Sequence, residues 1–250
     1  MIILKSAQEI ELIAKASRVV ALTIAFLRER VKPGVTTADL DRLAEEFILR
    51  EGARPAFKGY RGFPATLCTS VNEEVVHGIP SPKKRLKEGD IIGIDVGAIV
   101  EGYYGDAAVT LPVGRVSDEA ARLMEVTEAA LAAGLAQVKV GNRLSDISHA
   151  VQTVAEAEGY SVVTDFVGHG IGRNLHEDPQ VPNFGKPGEG PRLKEGLVLA
   201  IEPMVNMGKH EVEVLSDRWT VVTRDKSLSA HFEHTVALTS DGPKVLTRAA

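Results

Sequence analysis

With 250 residues, 44% hydrophobic and 25% charged, the chain can form one large domain or two small ones and has the composition of a soluble globule. A net charge of −5, from 29 basic against 34 acidic residues, argues against nucleic acid as a substrate or bulk electrostatic partner. The single cysteine, Cys68, cannot close an internal disulfide and fits a reducing cytoplasm; no signal peptide opens the chain, and the apolar run 21–27 is too short to span a membrane.

The first predicted element is a helix. Ser6-Ala7-Gln8-Glu9 reads as a capping box, and Ile10, Ile13, Ala14, Ser17, Val20, Ala21, Ile24 and Leu27 form a helical stripe that ends at Lys32-Pro33-Gly34. Thr37 is expected to cap a second helix running to about residue 50, stopped by Gly52. Short β-branched runs follow at 65–71, 74–79, 91–100 and 103–111. Ser117 opens a third helix to about Lys139, Gly141 breaks it, and a fourth runs from about Leu144 to before Gly159. Further strands are predicted at 160–167, 197–205, 212–216, 219–223 and 230–239, with Pro- and Gly-rich loops at 80–82 and 185–191. A helix pair followed by strands, twice over, is an α/β (α+β) layout with helices over a curved, mostly antiparallel sheet.

The two passes are copies. Arg85-Leu86-Lys87-Glu88-Gly89 returns as Arg192-Leu193-Lys194-Glu195-Gly196, an offset of 107 residues (192 − 85), and each copy leads into an apolar strand ending on an acid, Asp95 or Glu202. The same offset pairs Val31, Lys32, Gly34, Asp39, Glu51 and Gly52 with Val138, Lys139, Gly141, Asp146, Glu158 and Gly159. The expectation is one domain over residues 1–250, built from pseudo-twofold halves of about 1–115 and 116–250.

Duplication brings acids toward one axis. A hairpin turning near Val100 and Glu101 would set Asp95 opposite Asp106, since their numbers sum to 201, with Cβ atoms roughly 5 Å apart. Asp106 in turn aligns with Glu233 at an offset of 127 (233 − 106), the extra length falling in a hairpin-like insertion around 208–227. Four carboxylates, Asp95, Asp106, Glu202 and Glu233, cannot share a pocket ionised unless cations compensate them. His169, in Gly168-His169-Gly170-Ile171-Gly172, offers a nitrogen donor, and Pro203 withdraws a strand N–H beside Glu202 in a way that suits a bulge. Taken singly, these acids, this histidine, Cys68 and Trp219 would read as solvated, turn or core residues. His149, His210 and His234 read as structural or exposed, and Lys83-Lys84-Arg85 as a solvated face.

Taken together, His77-Gly78-Ile79-Pro80, Asp95 with Asp106, the Gly168–Gly172 run, His176-Glu177-Asp178-Pro179, Ile201-Glu202-Pro203-Met204 and Glu233-His234-Thr235 resemble type I methionine aminopeptidase over nearly the whole chain. The resemblance implies a pita-bread fold, two divalent ions (Co, Mn, Fe or Zn) and removal of the initiator methionine from nascent proteins when the second residue is small. Asp95 would chelate one ion, Asp106 and Glu233 would bridge both, and His169 and Glu202 would complete the other. A hydroxide between the ions would attack, Glu202 would shuttle its proton, His176 would hydrogen-bond the scissile carbonyl, and His77 would contact the leaving side of the peptide. Tyr60, Phe63, Cys68 and Trp219 would form the methionine pocket, and a monovalent cation would sit near Asn72 and Ser229.

Phe57, Gly97 and Leu175 depart from the family pattern, where many relatives carry threonine at the position of Gly97. The segment between Glu202 and Glu233 has no room for the type II insertion and no Cys/His-rich stretch precedes residue 1, so the bacterial form is expected. The resemblance also implies nascent chains as substrate, met at the ribosome surface, no membrane partner, and a monomer. The rival readings are a proline-specific aminopeptidase or creatine hydrolase of the same fold, a binding module of that fold without catalysis, and a two-metal phosphoesterase.

Overall fold

A computed structural model describes residues 1–248. Among the described residues four α-helices form where the apolar periodicity places them: α1 (Ala7–Arg28), α2 (Thr37–Arg50), α3 (Asp118–Ala136) and α4 (Leu144–Ala157). The Ser6 hydroxyl accepts from Glu9 N at 3.3 Å while Ser6 N donates back to Glu9 Oε2 at 3.0 Å, which satisfies two of the free donors at the start of α1. The cap of α2 is Thr36 rather than Thr37. An N-cap needs extended backbone, and Thr36 has it (φ −91°, ψ 153°), with its hydroxyl accepting from Asp39 N at 3.1 Å. Thr37 already lies inside the helix and turns its hydroxyl to the backbone of Ser81. α3 stops at Ala136, short of Lys139.

All strand pairs are antiparallel. Ile91–Val100 and Tyr103–Pro112 form the long hairpin of the first half, flanked by Leu67–Val71 and Arg54–Pro55. The matching five-stranded sheet of the second half runs Gly242–Val245, His234–Thr239, Val198–Ile201, Gly168–Gly170, Glu177–Val181. α1 packs on the first-half hairpin, and a Cβ on Gly105 would collide with the backbone of Ser17, so the close approach of helix to strand requires glycine there. α3 packs against α4 and over the second-half strands.

The run 197–205 is two strands, Val198–Ile201 and Met204–Asn206, parted at Glu202 and Pro203; the run 230–239 is likewise Ser229–His231 and His234–Thr239, parted at Phe232 and Glu233. Each break lets the chain pass from one sheet to another, and each break carries an acid. The runs 74–79 and 160–167 shrink to Glu74–Val76 and Ser161–Val162. Arg54–Pro55, Gly168–Gly170, Glu177–Val181 and Gly242–Val245 were not legible as strands: they are short and contain Gly or Pro, and they extend only because a neighbouring strand supplies hydrogen bonds.

The repeat has a structural counterpart. Gly34 N donates to Leu86 O at 2.8 Å and Gly141 N to Leu193 O at 3.2 Å; Leu86 N donates to Val35 O and Leu193 N to Asn142 O. Bridges join Thr36 to Arg85 and Arg143 to Arg192, and the two arginine side chains donate to Gly34 O and Gly141 O. The duplicated pentapeptide is thus the clasp that ties the second helix of each half to the strand bearing its acid. The main core draws on both halves, joining Leu27, Leu40, Ile92 and Ile94 to Leu123, Ile147, Leu199 and Ile201.

Candidate metal centre

The first-half acids do not pair as the sum of 201 would have it. The turn lies at Glu101 and Gly102, both left-handed (φ 51° and 81°), the two-residue geometry whose twist matches that of the strands. The register therefore sets Asp95 opposite Ala108 and Asp106 opposite Gly97, so the two acids are diagonal neighbours. The slip is by two, and with side chains alternating at period two both still project from one face, shared with Cys68 opposite Asp95. The two carboxyls interact, the charge of Asp95 adding to burial in raising Asp106.

The second-half acids come from the strand breaks. Glu233 N donates to Ala108 O at 2.9 Å, and the Thr235 hydroxyl donates to Asp106 O at 2.7 Å and accepts from Asp106 N at 3.2 Å. This seam lays the Tyr103–Pro112 strand across the segment holding Glu233. Asp106, His169 and Glu233 each offer a donor atom within 4.8 Å of the other two, and all three side chains are buried. Glu202 joins through Oε1, 3.5 Å from His169 Nε2, and Asp95 lines the same cleft.

The electrostatics ask for positive charge. Burial pushes Asp95 up to about 7 and Glu202 up to about 8; burial, with the neighbouring carboxylates added, holds Asp106 and Glu233 well above the usual carboxylate range. The histidines cannot compensate, because burial lowers His169 to about 3 and His77 to about 4, keeping both neutral. Asp95 Oδ1, Asp106 Oδ1 and Glu233 Oε1 are buried without a hydrogen-bond partner. Oxygen donors with spare lone pairs beside a neutral imidazole suit divalent cations. His169 is set for that role, since its Nδ1 contacts the Gly170 carbonyl at 2.9 Å, which leaves the lone pair on Nε2. Cys68 is different: burial and then the nearby acids raise its thiol far above neutrality, so it stays protonated and serves as wall.

One cleft gathers the catalytic, pocket and metal-donor candidates read from the sequence, Tyr60, Phe63, Cys68, His77, Asp95, Asp106, His169, His176, Glu202, Trp219 and Glu233, while Asn72 and Ser229 lie outside it. The Tyr60 hydroxyl lies 2.8 Å from His176 Nδ1, and the His176 and His169 rings are 4.3 Å apart. Phe63 and Trp219 meet edge to face at 5.1 Å, with Trp219 borne on the turn of the hairpin Val212–Val214/Val221–Thr223 inside the 208–227 insertion. His77 has φ 60° and packs its ring against Phe166 and Trp219 at 5.6 and 6.3 Å; such left-handed backbone on a non-glycine residue occurs where a side chain must be aimed.

Two features escaped the sequence. His231 is buried with Nε2 3.6 Å from Glu202 Oε2; the alternation of a strand, two residues before Glu233, was the signal that could have found it. Phe57 and Gly97 form an interlock, since a Cβ on Gly97 would lie 2.5 Å from Phe57 Cε1. Nothing in the sequence joins those two positions; the pairing of Arg54–Pro55 with Ile99 and Ala98 does.

The chain matches the model of metallopeptidase family M24 over residues 11–240. It is 56% identical to a methionine aminopeptidase of Clostridium acetobutylicum over 247 residues, covering 99% of both chains. It is also 56% identical to methionine aminopeptidase 1 of Bacillus subtilis, covering 99% of this chain and 100% of that one. Among solved structures, a methionine aminopeptidase of Thermotoga maritima superposes with a TM-score of 0.98 at 47% identity, covering 100% of each chain. Prolidase from Pyrococcus furiosus superposes at 0.79 with 25% identity, over 99% of this chain and 66% of that one. The architecture is the pita-bread fold of these proteins.

Proposed function

The chain belongs to metallopeptidase family M24, and on that premise we propose that it removes the initiator methionine from nascent polypeptides whose second residue is small. The observation that carries this reading is one cleft in which five metal donors, three buried and two partly buried, adjoin a pocket walled by Phe63, Cys68, Tyr60 and Trp219. A thioether is apolar and polarizable, and aromatic rings with a sulfur beside them suit it. Identity of 56% to methionine aminopeptidases over 99% of the chain, against partial coverage of a prolidase at 25% identity, favours this over a proline-specific enzyme. Five intact donors argue against a binding module without catalysis.

Asp95, Asp106, His169, Glu202 and Glu233 would hold two divalent ions, and the oxygen-and-nitrogen set accepts Mn, Fe, Co or Zn. When bound, the ions polarise the scissile carbonyl and supply a nucleophile from water near neutral pH. Glu202 takes the proton of the attacking water and returns it to the leaving amine. With the Tyr60 hydroxyl as donor in its 2.8 Å contact with His176 Nδ1, the His176 proton would sit on Nε2, the form that donates to the carbonyl oxygen as negative charge develops there. His77 stands on the Trp219 side of the cleft and contacts the peptide beyond the scissile bond.

The same reading takes residues 1–250 as one catalytic domain, supported by a core common to both halves. It includes a monovalent cation beside Asn72 and Ser229, which lie together with Ser229 N 3.0 Å from Asn72 O. It also takes the protein as a cytoplasmic monomer meeting its substrates at the ribosome; among the described residues no helix is long and apolar enough to cross a membrane. The test is methionine release from Met-Ala-Ser and Met-Leu-Ser by metal-free protein supplied with each metal in turn. Turnover of Met-Ala-Ser alone is expected, and equal turnover of both peptides would remove the specificity claim.

A further inference from the structure

The carboxylate of Glu202 is faced by two imidazoles. His169 Nε2 lies 3.5 Å from Oε1, and His231 Nε2 lies 3.6 Å from Oε2. The two rings are not equivalent. The Gly170 carbonyl occupies His169 Nδ1, so His169 Nε2 presents a lone pair and cannot donate to Glu202. His231 Nε2 is buried with no hydrogen-bond partner, and His231 lies outside the tight donor group of Asp106, His169 and Glu233.

The main chain of His231 is fixed on both sides. His231 N donates to the Thr110 hydroxyl at 2.8 Å, that hydroxyl donates to His231 O at 2.9 Å, and the residue pairs with Met204 across the sheet. Both Glu202 and His231 sit at a strand end, immediately before or within a break, so neither side chain is held by a regular ladder on both flanks. A buried ring nitrogen without a partner costs free energy, and an acceptor, Glu202 Oε2, lies 3.6 Å away. At 3.6 Å the contact lies just beyond hydrogen-bond range, as catalytic contacts often do before substrate and ions tighten them.

We propose that His231 is a positioning residue: its Nε2–H holds Oε2 of Glu202, so that Oε1 alone faces the metal side of the cleft. This rests on the role assigned to Glu202 above. An unheld carboxylate could swing either oxygen toward the ions, and the proton it must carry would leave from a variable position. No bond to the substrate is made or broken by His231 itself.

The experiment compares His231→Leu, which keeps bulk without a donor, and His231→Gln, which restores an N–H of similar reach. Loss of an outer partner of a metal-site ligand typically costs roughly 10–100-fold. For His231→Leu, kcat on Met-Ala-Ser is expected to fall by that factor, with KM within about twofold and two Mn2+ still bound by calorimetry. His231→Gln is expected to recover most of the loss. The visible spectrum of the Co2+-loaded protein provides a readout independent of turnover: His231→Leu should change it at unchanged stoichiometry, and His231→Gln should bring it back. Wild-type kcat and an unaltered Co2+ spectrum in His231→Leu would overturn the proposal, and so would loss of one bound ion, which would make His231 a ligand. If Leu unfolds the protein, failure of the folded His231→Gln to keep a wild-type-like spectrum overturns it equally. If wild-type protein releases no methionine, the proposed function fails, while the Co2+ spectra still decide the positioning role.

Discussion

Consider Gly97→Ala. In a strand interior alanine is normally better than glycine by about 0.5–1 kcal/mol, because glycine loses more freedom on folding. Here the added Cβ would lie 2.5 Å from Phe57 Cε1, 3.0 Å from Phe57 Cζ and 2.8 Å from Ala56 Cβ. Comfortable carbon contacts need about 3.5–4.0 Å, so the ring must retreat by about 1 Å. Phe57 is only 7% exposed and packs among Phe63, Cys68 and Leu175, which leaves it little room. Overpacking of this kind costs about 1–3 kcal/mol, and after the strand term the net loss is about 0.5–2 kcal/mol. For a chain of this size that is a Tm lower by about 2–6 °C.

Phe57→Leu removes both offending ring atoms, and in that background Gly97→Ala should cost less, with a coupling of about 1 kcal/mol. The assay is urea unfolding of the four proteins of the cycle at one fixed Mn2+ concentration. Because Gly97 shares the face of Asp95 and Asp106, the displaced ring should also raise KM for methionyl peptides while leaving metal binding intact. An identical cost in both backgrounds would refute the interlock.

Two further outcomes follow from burial. In the metal-free protein the site carboxyls titrate high, Asp95 at about 7 and Glu202 at about 8, against ordinary values of 3.8 and 4.5. Above about 6.5, where the buried histidines are neutral in both states, the folded chain binds more protons than the unfolded one, so stability falls as pH rises from about 6.5 to about 8; below that, His169 and His77, neutral only when folded, oppose the carboxyls. Melts in EDTA across that window should show the fall and excess Mn2+ should reverse it; a metal-free stability rising with pH would contradict the site electrostatics. Second, Lys5 and Glu177 form an ion pair at 2.5 Å with side chains 4% and 6% exposed, beside His176. Lys5→Met strands the Glu177 carboxylate and should cost about 3–5 kcal/mol in denaturant unfolding. Adding Glu177→Gln should restore much of that, and no restoration would show that Lys5 acts through packing alone.

Periodicity and turn chemistry were local enough to read directly: four helices, the long hairpin and the repeat at 107 all stand in the structure where linear reasoning puts them. The clustering of the acids proposed as metal donors was legible for the same reason, since the repeat places equivalent side chains at equivalent depths, and an error of two in hairpin register keeps Asp95 and Asp106 on one face. What a linear pattern cannot carry is contact between segments that meet only after folding. Arg54–Pro55 and Gly168–Gly170 are strands because of their neighbours, Phe57 fills the space left at Gly97, and Lys5 reaches Glu177 across the whole chain. His231 becomes part of the site only because a strand break turns Glu202 toward it. Side-chain alternation is a property of the backbone and visible in one dimension, whereas close packing and the pairing of buried polar groups are decided by whichever distant atoms arrive alongside.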